Sequence, residues 1–105
     1  MRRRLRILPA ASRDLEEQAL YIAQRNGIER ALEFYEAADL TFALATRHPF
    51  AGAVRNFRHP LLHGVRMLRL RRFNKHLVFY QVVPGEIQIV RVLHGARDID
   101  NLYDD

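Results

Sequence analysis

The spacing of apolar residues changes once along the chain, and this change restricts the fold more than any other feature. Up to about residue 46, apolar residues recur every three or four positions, which is typical of amphipathic helices. After Gly64 they alternate or run together and are rich in Val, Ile, Phe and Tyr, which favours strands. The sequence therefore predicts an α+β fold whose helices precede most of its sheet.

Two helices are predicted in the first half, separated by a glycine that stops the first one. The first runs from Ala11 to Asn26 and is ended by Gly27. Its apolar face is Ala11, Leu15, Ala19 and Ile22, and its first turns are predicted to carry the acids Asp14, Glu16 and Glu17. The second runs from Ile28 to Thr46, with the apolar face Ala31, Phe34, Tyr35, Ala38, Phe42 and Ala45. Because the connection is short, the two helices should pack as an antiparallel hairpin.

Four strands are predicted around this helical hairpin. A short edge strand from Arg4 to Leu8 ends at Pro9, and the segment from Pro49 to Gly64 is predicted to be a loop. The other strands are Val65 to Leu70, His76 to Val83 and Glu86 to His94. Their short connections make them an antiparallel meander, and the run from Leu77 to Tyr80, apolar on both faces, predicts a central strand. The order is β-α-α-β-β-β, with the helical hairpin packed on a mainly antiparallel sheet and the first strand beside a later one.

The size and composition narrow the class of protein. A chain of 105 residues fits one domain over residues 1–105, since domains have about 50–250 residues. Cysteine is absent, so disulfides and Cys-ligated metal centres are excluded. His59 and His63 have helical metal-ligand spacing, but Pro60 interrupts any helix there, so neither a metal site nor a cofactor is expected. The first residues lack the apolar run of a signal peptide, so the cytoplasm is the expected location.

Positive charge is concentrated in one stretch of the sequence. The net charge is +5, and no acidic residue lies between Asp39 and Glu86. That stretch carries eight basic residues: Arg47, Arg55, Arg58, Arg66, Arg69, Arg71, Arg72 and Lys75. The folded chain is therefore predicted to present a cationic sheet to an acidic partner.

Several local motifs resemble the ParE branch of the ParE/RelE toxins. The matching segments are Asp14-Leu15-Glu16-Glu17, Tyr21-Ile22-Ala23, Pro49-Phe50-Ala51-Gly52, Gly64-Val65-Arg66, His76-Leu77-Val78-Phe79-Tyr80 and Ile89-Val90-Arg91-Val92-Leu93-His94-Gly95-Ala96-Arg97-Asp98. The resemblance covers nearly the whole chain. It implies a toxin of a type II toxin–antitoxin pair that inhibits DNA gyrase without being an enzyme. It also implies neutralisation by a cognate, ParD-like antitoxin with an acidic segment, in a hetero-oligomer.

RelE-like relatives share this fold but cleave messenger RNA on the ribosome, so a metal-independent endoribonuclease is the alternative. For that reaction the candidate residues are Arg66, Arg71, Arg91, His94 and Arg97, with His76 and Tyr80 as further acid–base candidates. Gly95 and Ala96 follow His94 where nuclease relatives should place a Tyr or His, which favours gyrase. A non-toxic remnant and a nucleic-acid-binding module, with Phe73, Phe79 and Tyr80 as its platform, are minor alternatives.

The residues predicted to bind a partner are Arg66, Arg69, Arg71, Arg72, Lys75, His76, Arg91, His94 and Arg97. Strict alternation puts Arg66 and Arg72 on the face opposite Arg69 and Arg71, unless a bulge intervenes. Arg91 is predicted to share one face of its strand with Ile89 and Leu93, so its stem would pack while its guanidinium reaches solvent or a partner. For His76, His94 and Arg97, ordinary sheet packing, a backbone hydrogen bond and an ion pair with Asp98 remain open as purely structural roles.

Overall fold

The structure, a computed structural model, describes residues 3–55 and 64–95 as two helices and five strands. In chain order these are β1 (Arg4–Ile7), α1 (Pro9–Asn26), α2 (Ile28–Arg47), β2 (Ala53–Arg55), β3 (Val65–Leu70), β4 (Phe73–Val83) and β5 (Glu86–His94). The predicted helical hairpin and the later strands are confirmed, except that β4 begins at Phe73 and not at the predicted His76. The prediction of a continuous loop from Pro49 to Gly64 was wrong, because β2 lies within it. Three residues are too few to give a readable period, so this strand has no clear sequence signal.

The sheet has the order β1-β5-β4-β3-β2 and places β4 at its centre, as predicted. β1 is an edge strand and runs parallel to β5, with Leu5 opposite Ile87 and Ile7 opposite Ile89. The remaining neighbours are antiparallel. A parallel pair needs a long crossover connection, and the helical hairpin belongs to the chain that joins β1 to the rest of the sheet.

The main core lies between the helices and one face of the sheet. All four residues predicted for the apolar face of α1 are buried. From α2 the buried residues are Ala31, Phe34, Ala37, Ala38, Thr41, Phe42 and Ala45. The prediction for Tyr35 was wrong, because its side chain lies at the rim of the core and is 37% exposed. Within the described part of the chain, neither helix is long and apolar enough to cross a membrane.

The opposite face of the sheet has a smaller apolar cluster, formed by Val65, Leu77, Phe79 and Leu93. β4 is therefore buried on both faces, with Phe79 and Tyr80 both fully inaccessible to solvent. Bases stack on exposed rings, so these two aromatic residues cannot serve as the predicted nucleic-acid platform. The prediction was wrong for Phe79 and Tyr80, because a central strand has no free face.

The connection between β3 and β4 contains a tight turn and a bulge. Leu70 lies opposite Phe73, whereas the preceding Arg69 lies opposite Leu77, so residues 74–76 of β4 face no β3 residue. Arg69 Nη1 donates a 3.0 Å hydrogen bond to the carbonyl oxygen of Asn74 inside this bulge. Bulges redirect side chains that regular alternation would place elsewhere, and here Lys75 and His76 are redirected.

Candidate functional site

The predicted partner-binding residues do not form a single cationic face. Within the described residues they divide among four places: the loop before β2, the edge of β5, the β3–β4 turn, and a cleft at the ends of β4 and β5. Arg97 and Asp98 lie outside the described residues, as do His59 and His63. Each of the four places has its own geometry and its own chemistry.

Arg66 fastens the loop before β2 to the sheet. Its Nη1 donates a 2.8 Å hydrogen bond to the carbonyl oxygen of Gly52, and its guanidinium lies 4.9 Å from the centre of the Phe50 ring. The Tyr80 hydroxyl supports the same loop by donating to Pro49 O at 2.8 Å and accepting from Gly52 N at 2.9 Å. Burial raises the pKa of Tyr80, against smaller opposing effects of the Gly52 amide and Arg66. Tyr80 therefore keeps its proton at neutral pH and acts as a structural bridge.

Arg91 forms a two-pronged ion pair with Asp14 of α1. Its Nε and Nη2 lie 2.7 and 2.9 Å from the carboxylate oxygens. The same carboxylate accepts the Val92 amide at 3.0 Å, while Gln18 Nε2 donates to Val92 O at 2.6 Å. β1 pairs with β5 only as far as Ile89, so it does not reach the backbone of Val92. Asp14 and Gln18, one helical turn apart on α1, bond to that backbone in place of a neighbouring strand.

Two predictions about these residues were wrong. Asp14 does not belong to the first turn of α1, because the helix begins at Pro9 and its first turn has no acid. Arg91 does not share a face with both Ile89 and Leu93. A register shift between Phe79 and Tyr80 intervenes, and Ile89 joins the helix-side core while Leu93 joins the cluster on the opposite face.

The β3–β4 turn and α2 enclose a groove of about 390 Å³, called here the hairpin groove. It is lined by Leu40, Thr41, Leu44, Arg47, Arg69, Leu70, Arg71, Arg72 and Asn74. Two leucines one turn apart on α2 are 50% and 38% exposed, and no acidic residue is among the lining residues. A groove lined by exposed leucines and by guanidinium groups is complementary to an amphipathic segment that carries apolar and acidic side chains.

Arg72 adopts a backbone conformation that is rare for a residue with a side chain. Its φ is +68°, and among described residues it is the only non-glycine with a positive φ. Arg71 and Arg72 also border Glu33 and Glu36 on the far side of the turn. Arg72 was predicted to lie opposite Arg69 and Arg71 unless a bulge intervened, and the irregularity at Arg69 and Leu70, with Arg71 and Arg72 in the turn, is that exception. All three line the hairpin groove.

A second concave site, called here the His cleft, lies where both helices approach the ends of β4 and β5. Its volume is about 610 Å³, and it is lined by Gln18, Tyr21, Ile22, Asn26, Arg30, Phe73, Lys75, His76 and His94. None of the lining residues is acidic. His76 and His94 lie opposite each other on β4 and β5, with ring centres 5.1 Å apart. This cleft brings together Lys75, His76 and His94 from the predicted set.

Aromatic contacts hold the His cleft in shape. The His76 ring packs edge-on against Phe34 and Phe73, with ring centres 5.0 and 6.1 Å away. Arg30 lies 4.1 Å above the Phe73 ring and also pairs with Glu33. The imidazole and guanidinium groups are therefore placed by packing before any ligand arrives.

Sequence reasoning missed Arg30, Leu40, Leu44 and Arg47 as site residues. Leu40 and Leu44 had a usable signal, because they are apolar residues on α2 outside its predicted apolar face. Arg47 belonged to the acid-free stretch. Arg30 had no signal, since its position above Phe73 depends on tertiary packing. Among the described residues, no group of three or more His, Cys, Asp or Glu side chains could hold a metal ion.

Comparisons with known proteins agree with this architecture. Residues 5–99 match the family model described as the ParE toxin of the type II toxin–antitoxin system parDE, and the chain belongs to that family. A chain in a solved structure of the chromosomal ParDE TA system from P. aeruginosa superposes with a TM-score of 0.72 at 26% identity. The match covers 88% of this chain and 95% of that one. A search of curated proteins found no match. Family membership implies an antitoxin as partner in a hetero-complex.

Proposed function

We propose that this protein is a non-enzymatic toxin that inhibits DNA gyrase in the cytoplasm and is neutralised by a ParD-like antitoxin. The match of residues 5–99 to the ParE toxin family carries the proposal. The gyrase target extends beyond that match and rests on what the resemblance to the ParE branch implies, while the mode of neutralisation rests on the hairpin groove.

The positions of the nuclease candidates support a toxin that works by binding. Arg66 donates a hydrogen bond to the loop before β2, and Arg91 forms an ion pair with Asp14. Arg71 lies in the β3–β4 turn, while His94 lies in the His cleft. General acid–base cleavage of RNA needs an acid, a base and a cation within hydrogen-bonding reach of one phosphate. Among the described residues, His76 and His94 meet in the His cleft, but the predicted arginines Arg66, Arg71 and Arg91 lie elsewhere and are not gathered around one such point with them.

The experiment that tests the proposal compares two activities of one purified preparation. Gyrase is assayed for supercoiling, and a translation-coupled reaction is assayed for cleavage of messenger RNA. Loss of supercoiling with intact messenger RNA is expected. Cut messenger RNA with unaffected gyrase would establish the RelE-like alternative, and unchanged growth on expression of the chain alone would indicate a non-toxic remnant.

The hairpin groove is the proposed contact surface for the antitoxin. An acidic, amphipathic segment would set apolar side chains on Leu40 and Leu44 and carboxylates against the guanidinium groups of Arg69, Arg71 and Arg72. Long-range attraction of this kind accelerates association and is screened by salt. We therefore expect the association rate to fall as salt rises from about 50 to 200 mM.

Charge-removing variants locate the surface. The Arg71→Gln/Arg72→Gln double variant should slow association with the purified antitoxin and flatten its salt dependence. The double variant Arg6→Gln/Arg13→Gln, which removes two exposed charges from β1 and α1, is the matched control and should change neither. Equal effects of the two sets, or a rate that does not respond to salt, would contradict a groove that recognises an acidic partner.

A further inference from the structure

The His cleft is separate from the hairpin groove and differs from it in chemistry. The groove exposes aliphatic side chains, whereas the apolar residues of the cleft, Ile22 and Phe73, are both 8% exposed and offer no aliphatic anchor. Besides the two partly exposed imidazoles, the cleft exposes the ring of Tyr21, which is 44% accessible. An amphipathic peptide therefore finds its anchors in the groove and lacks them in the cleft.

The charged residues that line the cleft are cationic, and the one acid described beside them, Glu33, pairs with Arg30. Arg30 and Lys75 are cationic at neutral pH, and the imidazoles of His76 and His94 add ring nitrogens that can donate hydrogen bonds. The titratable groups that face the histidines from the packed elements are Tyr21 of α1, Arg30 of α2 and Lys75 of β4, none of which is acidic. This set favours an anion that accepts several hydrogen bonds at once, as a phosphate group does.

The exposed ring adds a second requirement on the ligand. Tyr21 lines the cleft beside these donors, and the Arg25 guanidinium lies 4.8 Å from its ring centre. Cations that follow a backbone, together with an aromatic ring for a base, are the pattern by which proteins hold single-stranded nucleic acid. The cleft volume of about 610 Å³ lies within the range of sites that take a ligand of nucleotide size.

From these features we infer that the His cleft binds single-stranded nucleic acid, with a backbone phosphate held by Lys75, Arg30 and the two histidines and a base against Tyr21. The site goes beyond gyrase inhibition and antitoxin binding, because it gives the toxin a direct contact with DNA. It is measured without gyrase, so its failure would leave the proposed function untouched.

The test measures the anisotropy of a fluorescein-labelled single-stranded DNA oligonucleotide as the purified chain is added. Lys75→Gln should weaken binding about fivefold near 0.1 M salt and reduce the salt slope by about 0.7, the value for one lost phosphate contact on a single strand. Tyr21→Leu should also weaken binding, by about fivefold or more, because stacking is lost. Arg13→Gln is the matched control for the loss of one charge and should stay within about twofold of the unchanged chain. Circular dichroism and urea unfolding verify that each variant is folded.

Competitors distinguish the sources of the anion. Unlabelled DNA should displace the probe at far lower concentration than inorganic phosphate or an oligo-glutamate peptide. Three results would overturn the assignment. The first is an equal loss of DNA affinity in Lys75→Gln and Arg13→Gln, which would indicate diffuse charge. The others are Lys75-dependent binding of the peptide that is tighter than that of DNA, and binding of inorganic phosphate without binding of DNA.

Discussion

Replacing Asp14 with alanine tests how strongly α1 holds the free edge of β5. The Asp14 side chain is 9% exposed and accepts hydrogen bonds from Arg91 Nε, Arg91 Nη2 and the Val92 amide. The alanine variant leaves a buried N–H without its partner and a guanidinium without its counter-charge. Removing one member of a buried ion pair costs about 3–5 kcal/mol. Because the Arg91 side chain is 37% exposed and can regain water, the lower end applies, about 3 kcal/mol.

Urea unfolding followed by circular dichroism measures this loss of stability. For a domain of this size, about 3 kcal/mol corresponds to a melting temperature lower by about 12 °C or more. Arg91→Ala should cost less, about 2 kcal/mol, since Asp14 keeps the Val92 amide. The double variant should then be less destabilised than the sum of the two, by about 1.5 kcal/mol.

The matched control is Glu17→Ala, which removes an exposed acid from the same helix and should cost less than about 0.5 kcal/mol. A cost below about 1 kcal/mol for Asp14→Ala, or additive effects of the Asp14 and Arg91 variants, would refute the reasoning. Either result would mean that α1 packing alone positions β5.

Three further predictions concern the loop before β2 and the β3–β4 turn. Tyr80→Phe should cost about 1–2 kcal/mol in urea unfolding at neutral pH. Because the pKa of Tyr80 is raised in the folded state, the stability that its hydroxyl contributes is fully present below about pH 10. That stability is lost as the pH rises through the folded-state pKa. Tyr80→Phe should therefore lose less stability at alkaline pH than the unchanged chain. Gly52→Ala places a Cβ 2.7 Å from Tyr80 Oη and 3.0 Å from Met67 O, and should lower the free energy of unfolding by about 2 kcal/mol. Its control, Ala51→Ser at an exposed neighbouring position, should leave stability nearly unchanged. Arg72→Gly relieves a positive φ and should leave stability unchanged or slightly raised, while Arg71→Gly should cost about 0.5–1 kcal/mol; equal losses would contradict strain at Arg72.

Local periodicity predicted much of this fold because the main elements bury one continuous face. The α1 residues Ala11, Leu15, Ala19 and Ile22 are all buried, and β3 and β5 have the predicted bounds. The Pro84-Gly85 turn lies between β4 and β5 as expected, with Gly85 at a φ of +71°. Where propensity, pattern and turn chemistry agree, a single sequence is sufficient.

The candidate site was less predictable because its geometry comes from departures from regular alternation. Arg91 pairs with a residue 77 positions earlier, and no local pattern reports such a contact. The shift between Phe79 and Tyr80 moves Ile89 and Leu93 to opposite faces. A one-residue slip reverses the face of every later side chain, so a prediction based on alternation fails beyond each bulge.

The bulge at residues 74–76 decides how the cationic residues are shared between two sites. Asn74 lines the hairpin groove, whereas its neighbours Lys75 and His76 line the His cleft. Arg69, itself in the groove, bonds to the Asn74 carbonyl and so holds the bulge that presents the cleft residues. The acid-free stretch therefore does not produce one broad cationic face. It produces two concave sites, one with exposed leucines and one with an exposed tyrosine. This difference in their apolar parts is why we propose chemically distinct partners for two surfaces of the same charge.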